Sequence, residues 1–135
     1  MGEVSKGLLD TSVVIAREED SGVEESLPQE FSISAATLAE LHYGVLVAKD
    51  EMTRRHRLRR LGVVESSIEA LAIDNAVARS FATVAHAVKM EGRQPKARVM
   101  DLLIAATALT HKIPLYTRNA DDFQGLQELI EIIVI

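Results

Sequence analysis

The chain has 135 residues, a length that fits one domain spanning residues 1–135 and leaves too little sequence for a second core. Hydrophobic residues make up 47% of it, which excludes a wholly disordered chain, and the absence of cysteine excludes disulfides and cysteine-ligated metals. The net charge of −5 argues, at face value, against a nucleic-acid partner.

Short strands and helices alternate along the first half of the chain. Residues 7–9 form an apolar run that predicts a first strand, and residues 10–12 (Asp-Thr-Ser) are types that begin helices. Residues 31–34 alternate between apolar and serine side chains, as in a strand. Residues 37–48 and then 53–61 have helical spacing, the second with arginines around its leucines.

The second half continues this alternation. Residues 74–90 predict a helix because their apolar side chains recur every three to four positions, and Gly92 is placed to end it. Residues 99–109 are apolar at almost every position, which favours a buried helix. Further strands are predicted at residues 68–73, 115–117 and 130–135. This order predicts an α/β fold, a three-layer α/β/α sandwich around a short, mainly parallel sheet with right-handed crossovers.

Two acidic residues stand where such a fold carries its chemistry, at the carboxyl ends of parallel strands. Asp10 follows the first predicted strand, and Asp101 is the only charge in residues 99–109. Each also has a purely structural interpretation. Asp10 can cap a helix, and Asp101 can be a first-turn acid paired with Arg98, three residues before it.

Further acids complete the pattern. Glu40 has no basic residue three or four positions away, so it is either a surface side chain or part of a cleft. Asp121 and Asp122, in the loop of residues 117–123, are either turn residues or metal ligands. Carboxylates that converge need a cation to offset their repulsion, and oxygen ligands select Mg²⁺ or Mn²⁺, which would activate water against a phosphodiester. The four histidines lack the spacing of a zinc site.

Four segments together resemble the PIN-domain family, in the order and spacing of VapC-type toxins. They are LLDTS at 8–12, AELHYG at 39–44, MDLLIAATA at 100–108 and TRNADDF at 117–123. The resemblance covers nearly the whole chain. It implies a PIN-like endoribonuclease, the toxin of a type II toxin–antitoxin pair, which uses Mg²⁺ or Mn²⁺ to hydrolyse RNA to 5′-phosphate and 3′-hydroxyl ends.

The resemblance also assigns roles to residues. Asp10, Glu40 and Asp101 are expected to hold the metal, with a fourth acid from the loop of residues 117–123. Asp10 and Asp101 are its chief ligands, and Glu40 or Asp122 is expected to position or deprotonate the attacking water. The family varies at its fourth acid, so Asp122 is our choice and Asp121 the reserve. Groups expected to orient these catalytic carboxylates or their waters are Thr11, Ser12, Thr117, Asn119 and Asp121.

The charge is unevenly distributed, so the net value says little about any one face. Residues 17–30 hold six acids and one base, whereas residues 49–60 hold six bases and two acids, and a second basic segment lies at 89–98. These basic segments are either solvated helix faces or a path that leads RNA to the acids. The expected RNA contacts are Arg54, Arg55, Arg93, Lys96 and Arg98.

Two protein partners are implied by the resemblance, a cognate antitoxin and a second copy in a homodimer. The antitoxin would cover a groove near the acids and place a side chain, often basic, against them. Apolar positions on the predicted helices belong either to the core or to this groove, and these are Leu46, Val47, Leu58 and Leu61.

Other classes of protein remain as alternatives. A non-catalytic PIN-like binding module would keep the fold with a weak metal site or none. A phospho-acceptor receiver domain needs paired acids after its first strand and a lysine near its end. This chain has one acid, Asp10, after its first predicted strand and no lysine beyond Lys112.

Nothing in the composition indicates export or a membrane. The first ten residues lack the apolar core of a secretory signal. No apolar run reaches the ~20 residues of a membrane span. Together with the absence of cysteine, these features favour a cytoplasmic protein without a membrane partner.

Overall fold

Parallel strands form the central layer of the molecule. The computed structural model describes residues 4–19 and 21–135, and within them the strands are β1 (Lys6–Leu9), β2 (Glu30–Ser34), β3 (Ala70–Leu71), β4 (Leu115–Thr117) and β5 (Ile132–Val134). They pair in the order β3-β2-β1-β4-β5, and every pair is parallel. The carboxyl ends of all these strands therefore lie at the same end of the sheet.

Helices cover both faces of this sheet. The α-helices are α1 (Thr11–Glu19), α2 (Ala35–Leu46), α3 (Glu51–Ser67), α4 (Asn75–Met90) and α5 (Val99–His111), with short 3₁₀ helices at Ser21–Ser26, Pro95–Arg98 and Ala120–Phe123. Leu8 and Leu9 of β1 are both fully buried, the first in a core with α4 and α5, the second in a core with α1, α2 and α3. The predicted α/β/α sandwich around a parallel sheet is confirmed.

The junction between β2 and α2 differs from the prediction. Helix α2 begins at Ala35, before residue 37, because Ser34 caps it with a hydroxyl that accepts the Ala36 N–H at 3.0 Å. The same junction shortens β3, since β3 pairs with β2 at only two positions before β2 ends in the cap. The strand predicted at residues 68–73 was therefore too long.

Helix α3 runs to Ser67 instead of ending near residue 61, because Leu61 and Val64 extend its buried face. Leu61 is 5% exposed and packs in the core beside Val64. Of the apolar positions with two interpretations, Leu61 thus belongs to the core. The exposed ones are Leu46, Val47 and Leu58.

Helix α5 is the buried helix that its composition predicts. Leu102 and residues 104–108 are buried, and the helix packs against α4. It ends at Lys112, whose φ of 55° is left-handed, and Gly92 with φ of 82° follows the end of α4 as predicted.

Part of the acidic segment of residues 17–30 is paired on the protein surface. Arg17 Nε donates to Glu24 Oε1 at 2.5 Å. Asp20 of this segment and residues 1–3, part of the region without a secretory signal, lie outside the described residues. Within the described ranges, the helices are too short or too polar to cross a membrane.

Candidate active site

A small anionic cleft lies at the carboxyl end of the sheet. Its volume is about 250 Å³, and its walls come from the starts of α1 and α5, from α2 and from the loop after β4. The residues that line it are Asp10, Thr11, Ser12, Ile15, Glu40, Asp101, Ile104, Asn119 and Asp122. Four of these side chains are carboxylates and none is basic. The fold therefore brings together acids that are up to 112 positions apart in sequence.

Asp10 is 4% exposed, and both of its carboxylate oxygens accept hydrogen bonds. Oδ1 accepts from Ser12 Oγ at 2.5 Å and from the Val13 N–H at 3.2 Å, and Oδ2 accepts from Thr117 Oγ1 at 2.6 Å. Burial raises the pKa of Asp10, and these donors oppose the rise. Asp10 thus caps α1 and lines the cleft at once, so the capping interpretation does not exclude a chemical role.

Ser12 of α1 and Thr117, the last residue of β4, link the start of α1 to the end of β4. Ser12 Oγ donates to Asp10 and accepts the Arg118 N–H at 3.1 Å. Thr117 Oγ1 donates to Asp10 and accepts the Asn119 N–H at 2.9 Å. Because each hydroxyl is itself fixed by a backbone donor, the two of them hold the Asp10 carboxylate in one orientation.

The Glu40 carboxylate is held by the Thr11 hydroxyl, which in turn contacts the Thr37 hydroxyl. Thr11 Oγ1 donates to Glu40 Oε1 at 2.6 Å and lies 3.1 Å from Thr37 Oγ1. A hydroxyl has one proton, so while Thr11 donates to Glu40, it accepts from Thr37. Thr37 is fully buried, and the sequence analysis missed its role. The available signal was its position one turn before Glu40, which places both on one helix face.

The pKa of Asp101, in the first turn of α5, depends on the other three acids of the cleft. Its pKa rises from the ordinary 3.8 to about 6, mainly through burial and then through the charges of Asp122, Glu40 and Asp10. Arg98 opposes this rise. Asp101 is therefore close enough to the other three carboxylates of the cleft to be repelled by each of them.

This repulsion predicts a pH-dependent stability change. Without added metal, Asp101→Asn should raise the thermal unfolding midpoint at pH 7.5 by about 3 °C, because it removes a charge that folding disfavours. The folded pKa of Asp101 is the higher one, so wild type loses stability as the pH rises from about 4 to about 6. The gain from the variant should therefore shrink as the pH falls through that window.

Thermal unfolding in EDTA across that window tests the expectation. Asp121→Asn removes an exposed carboxylate from outside the cleft and is the matched control, which should change the midpoint little at any pH. A gain for Asp101→Asn that is the same at pH 4.5 and 7.5, or a loss at pH 7.5, would contradict the assigned repulsion.

The loop after β4 carries Asp122 to the cleft and Asp121 away from it. The Asp122 N–H donates to the Asn119 carbonyl at 3.0 Å, and Phe123 is fully buried beside them. Asp122 Oδ1 lies 3.3 Å from Arg98 Nη1. Asn119 and Asp122 line the cleft, whereas Asp121 is exposed outside it.

The donor set of the cleft fits a hard divalent cation. Its ligating atoms are carboxylate, hydroxyl and amide oxygens, the set that Mg²⁺ and Mn²⁺ prefer. Among the residues that the structure describes, no group of three or more His, Asp or Glu side chains holds the geometry of a metal site as it stands. Three of the four carboxylates, those of Asp10, Glu40 and Asp122, instead engage hydroxyls or Arg98.

Four of the five bases expected to contact RNA bind other groups of the protein, and Arg98 among them pairs with Asp122. Arg54 and Arg55 donate to Glu51 at 2.6 and 3.2 Å. Arg93 donates to the Asp121 carbonyl at 3.2 Å. The exposed pair at the start of α3 can exchange its partner for a phosphate at small cost, because surface ion pairs contribute little.

Other bases of residues 49–60 and 89–98 divide into structural and exposed groups. Arg57 Nη1 donates to the Gly44 carbonyl at 2.7 Å, and Arg60 is 9% exposed with Glu18 at 3.8 Å. Lys96 is exposed on the 3₁₀ helix Pro95–Arg98, which precedes α5. The basic segment of α3 is therefore not a fully solvated face, since Arg57 and Arg60 bind groups of the protein.

Known proteins resemble this chain in both sequence and structure. The PIN domain model matches residues 7–129. Ribonuclease VapC5 of Mycobacterium tuberculosis is 37% identical over 130 residues, covering 96% of this chain and 93% of the relative. Ribonuclease VapC8 of the same species is 37% identical over 107 residues, covering 79% and 94%. The crystal structure of VapBC-5, a member of the VapBC family of toxin–antitoxin systems from M. tuberculosis, matches with a TM-score of 0.83 at 36% identity, covering 97% of this chain and 99% of that one.

Proposed function

The chain belongs to the PIN-domain family, and from that premise we propose that it is a Mg²⁺-dependent endoribonuclease, the toxin of a VapBC-type toxin–antitoxin pair. The observation that carries the proposal is the single cleft of about 250 Å³ lined by four carboxylates from separate elements. Relatives named ribonucleases that align over most of the chain support the reaction class.

Asp10 and Asp101 are the proposed chief ligands of the ion, with Glu40 and Asp122 completing the set. When bound, Mg²⁺ or Mn²⁺ would lower the pKa of a bound water and stabilise the charge that develops on the phosphodiester. The raised pKa of Asp101 supports this assignment, because its causes are burial and then the charges of the other acids, and a divalent cation would relieve that repulsion.

The chain's own side chains prepare the reaction in two ways. Ser12 and Thr117 keep Asp10 in one orientation, so this carboxylate need not be ordered when substrate arrives. Thr11 fixes Oε1 of Glu40, so that this carboxylate can position the attacking water or accept its proton. The water oxygen then bonds to phosphorus as the bond between phosphorus and the 3′ oxygen breaks, and the 3′ oxygen takes up a proton, leaving 3′-hydroxyl and 5′-phosphate ends.

The fourth acid gives a direct test. Asp122→Asn is expected to lower kcat/KM for RNA cleavage about 10²-fold, because a charged oxygen ligand is lost. Asp121→Asn, one residue away and outside the cleft, should stay within about twofold of wild type. Cleavage of a panel of RNAs is measured with Mg²⁺, with Mn²⁺ and with EDTA, for proteins purified in parallel.

Each outcome of that assay has a meaning. Cleavage that persists in EDTA would contradict a metal-dependent mechanism. Equal losses in the two variants would contradict the choice of Asp122. No cleavage by wild type, with no metal binding, would favour a non-catalytic binding module of the same family.

A cognate antitoxin is the proposed protein partner, and a second copy in a homodimer is proposed beside it. The structural relative VapBC-5 belongs to a toxin–antitoxin family, which supports a partner of this kind. Helices α2 and α3 expose apolar side chains that a partner could cover, with Leu46 83% and Met52 82% exposed. Other exposed apolar side chains are Tyr43 of α2, Val47 directly after α2, and Leu58 and Val63 of α3.

A further inference from the structure

Arg98 is the base that reaches the acidic cleft. It ends the 3₁₀ helix Pro95–Arg98, three residues before Asp101, and its Nη1 lies 3.3 Å from Asp122 Oδ1. The two side chains are 31% and 38% exposed, so the pair lies at the rim. Among the ion pairs of the described residues, this is the one that includes a carboxylate of the cleft.

The loop that carries Asp122 does not depend on Arg98 for its position. Arg93 donates to the Asp121 carbonyl at 3.2 Å and to the Gln124 side chain. Phe123 anchors the loop in the core, and the backbone bond from Asp122 to Asn119 closes its turn. What Arg98 adds to the loop is therefore mainly its charge.

The positive charge of Arg98 acts on a cleft whose net charge is negative. Four ionised carboxylates and one divalent cation leave two negative charges, which would repel an RNA phosphate. Arg98 reduces this excess at the rim, where substrate enters. The same positive charge repels an incoming divalent ion and already engages an oxygen of Asp122.

We propose that Arg98 is a built-in counter-cation of the cleft, which balances Asp122 in the metal-free protein and faces the RNA phosphate once a divalent ion shares the carboxylates. The inference rests on the proposed function and deepens it. It makes Arg98 a residue that weakens metal binding and strengthens substrate binding, two effects of opposite sign from one charge.

Titration of Mg²⁺ and of Mn²⁺ into the metal-free protein, followed by calorimetry at fixed pH and ionic strength, separates these effects. Arg98→Gln should bind either ion about fivefold more tightly, because a positive charge beside Asp122 no longer opposes binding. Its KM for RNA should rise about fivefold, with a smaller change in kcat. Arg98→Lys keeps the charge and should bind metal as wild type does.

Lys96→Gln is the matched control, since it removes the same charge from an exposed side chain two residues away, and it should leave the metal affinity unchanged. Arg98→Met serves as a second charge-removing variant, and thermal unfolding establishes that each protein is folded. Unchanged or weaker metal binding in both charge-removing variants overturns the inference while leaving the proposed function intact. Failure of wild type to bind either ion overturns the proposed function, and the inference with it.

Discussion

Asp10→Asn is expected to lower kcat/KM for RNA cleavage by about 10³-fold or more, because a metal site supplies several kcal/mol of transition-state stabilisation. Asparagine has nearly the same shape but lacks the charge and one of the two acceptor oxygens. The fold should persist, since burial already disfavours the charged form of Asp10. The thermal unfolding midpoint without metal should therefore be equal to that of wild type or slightly higher.

Activity and metal binding together make this prediction specific. Calorimetric titration with Mg²⁺ should show weak or no binding to Asp10→Asn. Glu128→Gln removes an exposed carboxylate that does not line the cleft, and it should retain both activity and metal binding. Activity of Asp10→Asn within tenfold of wild type would remove Asp10 from the proposed mechanism.

Phe123→Ala is expected to cost about 3–5 kcal/mol of the free energy of unfolding, because a large, fully buried ring leaves a cavity in a close-packed core. Phe123 packs in the core that holds Leu102 of α5 and Leu115 of β4. Since native domains are stable by only about 5–15 kcal/mol, the variant should unfold at least 10 °C below wild type.

Denaturant unfolding of both proteins measures this loss directly. Tyr43→Ala removes an aromatic ring that is 65% exposed on α2, and it should change the free energy of unfolding by no more than about 0.5 kcal/mol. A loss below about 1.5 kcal/mol for Phe123→Ala would mean that the loop after β4 is not anchored by this ring. In the folded fraction, activity should also fall, because Asp122 precedes Phe123.

The candidate site was predictable in its residues but not in its contacts. Asp10 follows a strand, and Asp101 is the lone charge of a buried helix, so both were identifiable from local pattern. Thr37 lies one turn before Glu40, but local pattern does not give its role, which depends on Thr11, 26 positions earlier and in contact only in the folded chain. Arg98 had a local candidate partner in Asp101, but its observed partner is Asp122, from a distant loop.

The fold was predictable where periodicity is strong and less so at element ends. Helices α4 and α5 follow their apolar patterns closely. The end of β2 was harder to predict, since the hydroxyl of Ser34 serves as a helix cap and the chain leaves the sheet there. Leu61 illustrates the same limit, because periodicity alone does not tell a buried leucine from an exposed one on a helix with mixed faces.

The amino-acid sequence by itself determined the α/β class, the order of strands and helices, and the oxygen-rich set of acids, because hydrophobic periodicity and residue chemistry are local properties. Only the tertiary structure decided which groups meet. Parallel pairing in the order β3-β2-β1-β4-β5 brings the ends of β1 and β4 side by side, and the start of α5 beside them. Close packing of this chain, whose net charge is −5, then brought four dispersed acids into one cleft with Arg98 at its rim.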